Sequence, residues 1–285
     1  MDDDVRYLAS IEAFDYPDGT RALTRVNLAI RRGEWAAILG SNGSGKTTLL
    51  RILDGLLKDY AGSVLLDGTD VRKLSPRQIY SKVGLVFQNP DDQLFAPTVF
   101  EDVAFGPRNM GCSEEESGKR VAQALELVDM QHAALKAIGA LSFGQKKRIC
   151  IAGLLAMGHE ILLLDEPTAG LDPMGEYRMM HLLQRLNREK GVTIVMATHS
   201  VDLVPIFIDS LYILSRGRIA RGGTPEEVFT APDEMAAVKL RLPHIAELIH
   251  RLKHEDQVQF GRIPLTVGEA RREIIKMLEL EGKKQ

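Results

Sequence analysis

No apolar run in this chain approaches the ~18–20 residues that cross a bilayer. The longest, Cys150–Met157 and Val192–Ala197, have the length of buried helix or strand segments, so any membrane association has to come through a partner. Cysteine is nearly absent: Cys112 and Cys150 lack metal-ligand spacing and secretory context, which implies reduced cytosolic thiols. Charge of one sign is also lacking. With 36 basic and 39 acidic residues, the balance gives no push toward nucleic acid or anionic lipid. The N-terminus, Met1-Asp2-Asp3-Asp4, has neither the basic segment nor the apolar stretch of a signal peptide. No internal repeat or low-complexity tract breaks the chain.

What is present is an alternation of short apolar runs with amphipathic stretches, the pattern of an α/β domain, over 285 residues that suffice for one large core or two domains. Trp35–Leu39 reads as a buried strand entering a glycine-rich loop. A helix is expected from about Lys46 to Leu57, with Leu49, Leu50, Leu53, Leu56 and Leu57 on its inner face. Ile161–Leu164, Thr193–Met196 and Leu211–Leu214 read as further strands of the same sheet. Tyr7–Phe14 and Leu23–Ile30 are expected to pair antiparallel around an Asp18-Gly19 turn. Capping boxes mark helix starts at Ser75 with Gln78, Ser113 with Glu116, Thr224 with Glu227, and Thr266 with Glu269. A helical insert is expected between about residues 88 and 156. Beyond Thr224, two helical stripes follow: Ile245, Leu248, Ile249 and Leu252, then Ala270, Ile274, Met277 and Leu278. They suit either a cap on the domain's own core or a dimer-forming or regulatory extension.

Gly40-Ser41-Asn42-Gly43-Ser44-Gly45-Lys46-Thr47 matches the phosphate-binding loop G-x-x-x-x-G-K-[ST], and Thr48 follows it into the helix. Glycines let successive N–H groups and the helix N-terminus point at phosphate oxygens. Lys46 reaches β- and γ-phosphates as a point charge, and the Thr47 hydroxyl suits Mg²⁺, which takes few protein ligands. ATP is the expected ligand. Asp165 and Glu166 end an apolar run, where a buried strand emerges at the ligand-binding edge of an open α/β sheet.

Between these lies Leu141-Ser142-Phe143-Gly144-Gln145. With the loop before it and the acidic pair after it, this pentad makes the sequence resemble the ATP-binding cassette (ABC) ATPases. The resemblance implies a phosphate-loop NTPase core sheet, an antiparallel β subdomain, an inserted helical subdomain and a small C-terminal helical extension. The division would be residues 1–224 for the ATPase domain, with the insert at about 88–156, and 225–285 for the extension.

The resemblance also implies site roles. Asp165, Thr47 and Gln88 would serve magnesium, Glu166 would be the general base, and His199 would reach the γ-phosphate. Ser142, Gly144, Gln145 and Asp172 of the Ala169-Gly170-Leu171-Asp172 segment would act on the nucleotide of a second subunit, a copy or a paralogue. Tyr16 resembles the adenine-stacking aromatic; the other reading makes it an edge-strand aromatic, with Phe14 or Tyr7 taking part instead.

Within that family, Asn89–Val99 and Glu101–Pro107 closely resemble the energy-coupling factor importers of vitamins and transition metals. Asp202–Pro205 and Leu240–Ala246 lean toward the cobalt/nickel branch. The implied setting is the cytoplasmic face of a membrane, beside integral coupling and substrate-binding subunits and without nucleic acid. Leu94, Phe95 and Val99 would then either line a groove for a membrane partner's helix or pack within the insert. A soluble ABC ATPase acting on nucleic acid or ribosomes is the alternative, and a phosphate-loop kinase would have no use for the pentad.

Overall fold

In the computed structural model, which describes residues 4–260 and 262–282, alternation along the central strands divides the interior into two cores. Strand β1 (Val5–Asp15) pairs antiparallel with β2 (Arg21–Arg31), as expected, around a turn in which the Gly19 N–H donates to the Tyr16 carbonyl at 2.9 Å. After β3 (Trp35–Leu39), the glycine loop leads into helix α1 (Lys46–Leu53). Strands β4 (Ala61–Leu66) and β5 (Thr69–Asp70) complete a four-stranded sheet in the order β2-β1-β4-β5. Helix α2 (Pro76–Tyr80) and strand β6 (Val83–Val86) return the chain to the main sheet.

The insert follows as α3 (Val99–Asn109), α4 (Glu114–Leu127) and α5 (Phe143–Ala156). Strand β7 (Ile161–Asp165), helix α6 (Pro173–Lys190), strand β8 (Thr193–Thr198), helix α7 (Val204–Phe207) and strands β9 (Ser210–Ser215) and β10 (Arg218–Gly223) close the sheet. Its six strands run in the order β10-β9-β3-β8-β7-β6, parallel except for β10 at one edge. Short helices α8 (Pro225–Phe229) and α9 (Pro232–Ala237) precede α10 (His244–His254) and α11 (Val267–Gly282).

Successive side chains of a strand point to opposite faces. Thus Trp35, Ala37 and Leu39 of β3, with Leu162 and Leu164 of β7, join the core shared with the insert and α6. Ala36, Ile38, Ile161 and Leu163 join the core beneath α1 and the antiparallel sheet. A sheet buried on both faces accounts for unbroken apolar runs in place of apolar–polar alternation.

Several expectations need correction. Helix α1 stops at Leu53, because Gly55 takes a left-handed φ of +71° and turns the chain. Leu56 is consequently exposed, and Leu57 is only partly buried. Leu94 and Val99 are buried in the insert's core, while Phe95 is 64 % exposed. Of the capping boxes, those at Ser75 and Thr224 are complete. Ser113 caps one way only, and Glu269 reaches the N–H of Leu265, one residue before the expected Thr266. Complete boxes also stand at Thr98–Glu101 and Ser142–Gln145.

The C-terminal stripes are half covered. Ile249 and Ala270 are buried with Phe260, whereas Leu248, Ile274 and Leu278 are exposed. Val228, Phe229, Met235, Leu242, Ala246 and Leu265 pack into the main core. The Asp202 carboxylate accepts the His244 N–H at 2.9 Å and pairs with Arg241, so α10 is pinned to the segment before α7.

One buried carboxyl ties stability to pH. Asp54 follows α1 with 5 % exposure, and burial raises its pKa from 3.8 to about 7. Between these values the folded chain holds a proton that the unfolded chain releases, so Asp54 lowers stability as pH rises through that window. Asp54→Asn should raise the melting temperature relative to wild type by a few degrees at pH 8 and give a smaller increment at pH 4. Equal increments at both pH values in a calorimetric scan would contradict this.

Candidate functional site

The glycine loop joins the C-terminal end of β3 to α1 and leaves that helix without a side-chain cap, so its first N–H groups face a cavity of about 410 Å³. Two glycines are needed for this path. Gly45 has φ +106°, and a Cβ there would sit 2.8 Å from the Ala22 carbonyl oxygen. A Cβ on Gly40 would sit 2.3 Å from the Leu214 carbonyl oxygen. Lys46 arches back across the loop, its Nζ donating to the carbonyls of Gly40 at 2.8 Å and Ser41 at 3.2 Å. Asn42, Gly43, Gly45, Lys46, Thr47 and Thr48 line the cavity; Ser44 is buried beneath it.

The end of β7 supplies the opposite wall through Asp165 and Glu166; His199, just past β8, does not line the cavity and meets it through Glu166. The Thr47 hydroxyl donates to Asp165 Oδ2 at 2.6 Å, while Asp165 Oδ1 is buried without a partner. Burial pushes the Asp165 carboxyl upward, against the pull of Thr47 and Lys46. A hydroxyl beside an unpaired carboxylate oxygen fits Mg²⁺, an oxygen-seeking ion that keeps most of its waters. Gln88 is exposed on the same cavity.

Glu166 is held from four sides. Its Oε1 lies 3.4 Å from Lys46 Nζ and its Oε2 lies 2.9 Å from His199 Nδ1. Its N–H donates to the Ala197 carbonyl at 2.9 Å. Its carbonyl accepts from the Ala169 N–H at 3.1 Å and from Lys147 Nζ at 2.7 Å. Glu166 has φ +50°, a region that costs an L residue roughly 1–2 kcal/mol. Burial pushes the Lys147 ammonium down to about 8, against the attraction of the neighbouring carboxylates.

Tyr16 is half-buried on the cavity. Its hydroxyl is 3.0 Å from Thr48 Oγ1, and its ring meets Phe14 edge-on at 5.0 Å. Phe14 and Tyr7 are core residues, so among these three only Tyr16 faces the cavity. Thr20, Arg21 and Ala22 line it as well, and no motif marked them.

The pentad is elsewhere. Ser142 caps α5 through the Gln145 N–H, and Ser142, Gly144, Gln145 and Asp172 line a separate cavity of about 680 Å³. Asp172 caps α6, accepting the Gly175 N–H at 2.6 Å. The two cavities share no lining residue. The structure thus brings Lys46, Thr47, Gln88, Asp165, Glu166 and His199 together and keeps the pentad apart.

Comparison with known proteins decides the family. The ABC transporter family profile matches residues 23–169. The chain belongs to the ABC transporter ATP-binding proteins. The ATPase is 72% identical over 275 residues to a putative ABC transporter ATP-binding protein of Geobacter sulfurreducens, covering 96% of this chain and 99% of the relative. It is 49% identical to the energy-coupling factor transporter ATP-binding protein EcfA of Methanococcus maripaludis, over 94% of this chain and 96% of that one. Among solved structures, cbiO1 of Clostridium perfringens, described as part of the ABC transporter complex cbiONQ, superposes with a TM-score of 0.76 at 42% identity, covering 87% of this chain and 99% of that one. The cassette MJ0796, described as a dimer bound to ADP and Pi after hydrolysis, gives 0.66 at 31% identity over 77% and 98%. Like these cassettes, the chain is an ATP-hydrolysing enzyme with an α/β fold.

The acidic residue bonded to Thr47 gives a direct test of magnesium. Asp165→Asn should abolish the tightening of a fluorescent ATP analogue that Mg²⁺ produces over EDTA, leaving affinity in EDTA unchanged. A Mg²⁺-dependent increment of wild-type size would remove Asp165 from that role.

Proposed function

We propose that this ATPase is the energy-supplying subunit of an energy-coupling factor type importer, working in pairs at the cytoplasmic face of a membrane. The observation that carries the pairing is the division of the site: the glycine loop and the pentad occupy different cavities of one chain. An in-trans arrangement explains that division. Lys46, Thr47, Gln88, Asp165, Glu166 and His199 of one subunit would meet Ser142, Gly144 and Gln145 of another, with Asp172 at the seam. The second subunit is a copy or a paralogue.

In each composite site Tyr16 would stack on the adenine, and the loop N–H groups from Gly40 to Thr48 would cradle the phosphates. Thr47 and Asp165 would hold Mg²⁺, with Gln88 alongside; when bound, the ion neutralises charge on the β- and γ-phosphate oxygens. Glu166 would accept a proton from the attacking water, and His199, 2.9 Å from Glu166 Oε2, would orient that carboxylate and reach the γ-phosphate. Lys46 would exchange its two loop carbonyls for phosphate oxygens. The Ser142 hydroxyl and the Gly144 N–H would complete the charge stabilisation from across the pair. ATP would favour the closed pair, and hydrolysis would remove the phosphate that bridges it.

The likeness to EcfA and cbiO1 supports integral membrane partners. No helix among the described residues is long and apolar enough to cross a membrane itself. Phe95 and Phe105, 64 % and 49 % exposed and edge-to-face at 4.7 Å, would receive a partner helix beside Gln88. Residues 1–224 would form the ATPase domain, with the helical insert at about 88–156, and residues 225–285 the extension. The cargo would be a transition metal, cobalt or nickel, or a vitamin, carried by the partners. Action on nucleic acid finds less support, given a net charge of −3.

With Glu166→Gln, hydrolysis should fall about 10²–10⁴-fold and ATP should drive a stable pair visible by light scattering; a monomer with saturating ATP would remove the sandwich. Phe95→Asp should lose the integral membrane protein recovered by affinity capture from membranes while binding ATP normally. Retention of that partner would place the docking surface elsewhere.

A further inference from the structure

We propose that Lys147 is a positioning residue for Glu166, tying the helix that carries the pentad to the general base of the same chain. The inference rests on the paired reading above and deepens it. The pentad would close over the partner's nucleotide, whereas Glu166 would serve the chain's own. A connection between them inside one subunit would therefore join the two composite sites.

The geometry is specific. Lys147 lies one turn into α5, past the Ser142 cap, and is 1 % exposed. A lysine that deeply buried needs a partner. Its Nζ donates to the Glu166 carbonyl at 2.7 Å and sits 5.2 Å from the centroid of the Phe143 ring. Phe143 in turn lies against the Ala169–Asp172 segment, where a Cβ on Gly170 would be 3.0 Å from the ring. No carboxylate forms an ion pair with Lys147 among the described residues; its charge is aimed at a backbone oxygen.

That oxygen belongs to a left-handed residue. The φ of +50° at Glu166 sets the direction in which its side chain leaves the strand, and backbone strain of this kind persists only when the surroundings over-determine it. The Ala197 carbonyl fixes the Glu166 N–H, and the Ala169 N–H and Lys147 fix its carbonyl. Of these three contacts, Lys147 alone comes from the insert. A shift of α5 as the pentad engages a phosphate would be transmitted through Lys147 to the Glu166 peptide, and so to the carboxylate between Lys46 and His199.

Lys147→Met in the full chain keeps the length of the buried stem and deletes the donor; Lys147→Leu, of different shape, is the second variant should the first fold poorly. Each should lower kcat for ATP hydrolysis about tenfold, leave KM for ATP within about twofold, and bring the Hill coefficient toward one. Introduced into Glu166→Gln, the same change should add little further loss, since both act through one carboxylate. The inference is overturned by a variant that keeps wild-type kcat and cooperativity, by one that raises KM alone, or by full additivity with Glu166→Gln. Failure of the pairing reading is separable: Glu166→Gln carrying the native Lys147 would then stay monomeric with ATP, whatever Lys147→Met does to kcat.

Discussion

Burial of one parallel sheet on both faces is the constraint on which the rest depends. With the insert and α6 on one side and α1 with a second sheet on the other, strands β3, β7 and β8 are buried along their length. Charged groups can then appear only where strands end. The glycine loop, Asp165, Glu166 and His199 all lie at the C-terminal ends of adjacent strands for this reason, and the Glu166 N–H stitches β7 to the Ala197 carbonyl of β8. The chemistry of the site is a property of the sheet's edge as much as of the motifs.

Much of this was legible in the sequence because the signals are local. Apolar runs of strand length placed β3, β7, β8 and β9 within two residues, and the Asp18-Gly19 turn placed the first hairpin. The G-x-x-x-x-G-K-T string named its own backbone requirement, which the clash distances at Gly40 and Gly45 restate in atomic terms. The strand-end rule located Asp165 and Glu166, and their approach to Thr47 and Lys46 follows from strand order.

What escaped is non-local. Leu56 looked like a helix residue because periodicity cannot register that Gly55 adopts a left-handed turn against Ile79. Leu94 and Val99 were as suited to a groove as to a core, and the packing of α3 on α5 decided it. Lys147 reads as one of several charged residues after the pentad; its burial depends on where β7 ends. The cap at Ser142 is a local signal, with Gln145 three residues on.

The separation of the pentad cavity from the glycine-loop cavity has a kinetic consequence. If each active centre is completed only by a neighbour, as proposed, the rate of hydrolysis for free subunits scales with the square of their concentration. A membrane complex that mounts two copies side by side replaces that dilution with a fixed effective concentration. On that reading, subunits released from such a complex would hydrolyse ATP ever more slowly as they dilute, without any inhibitor.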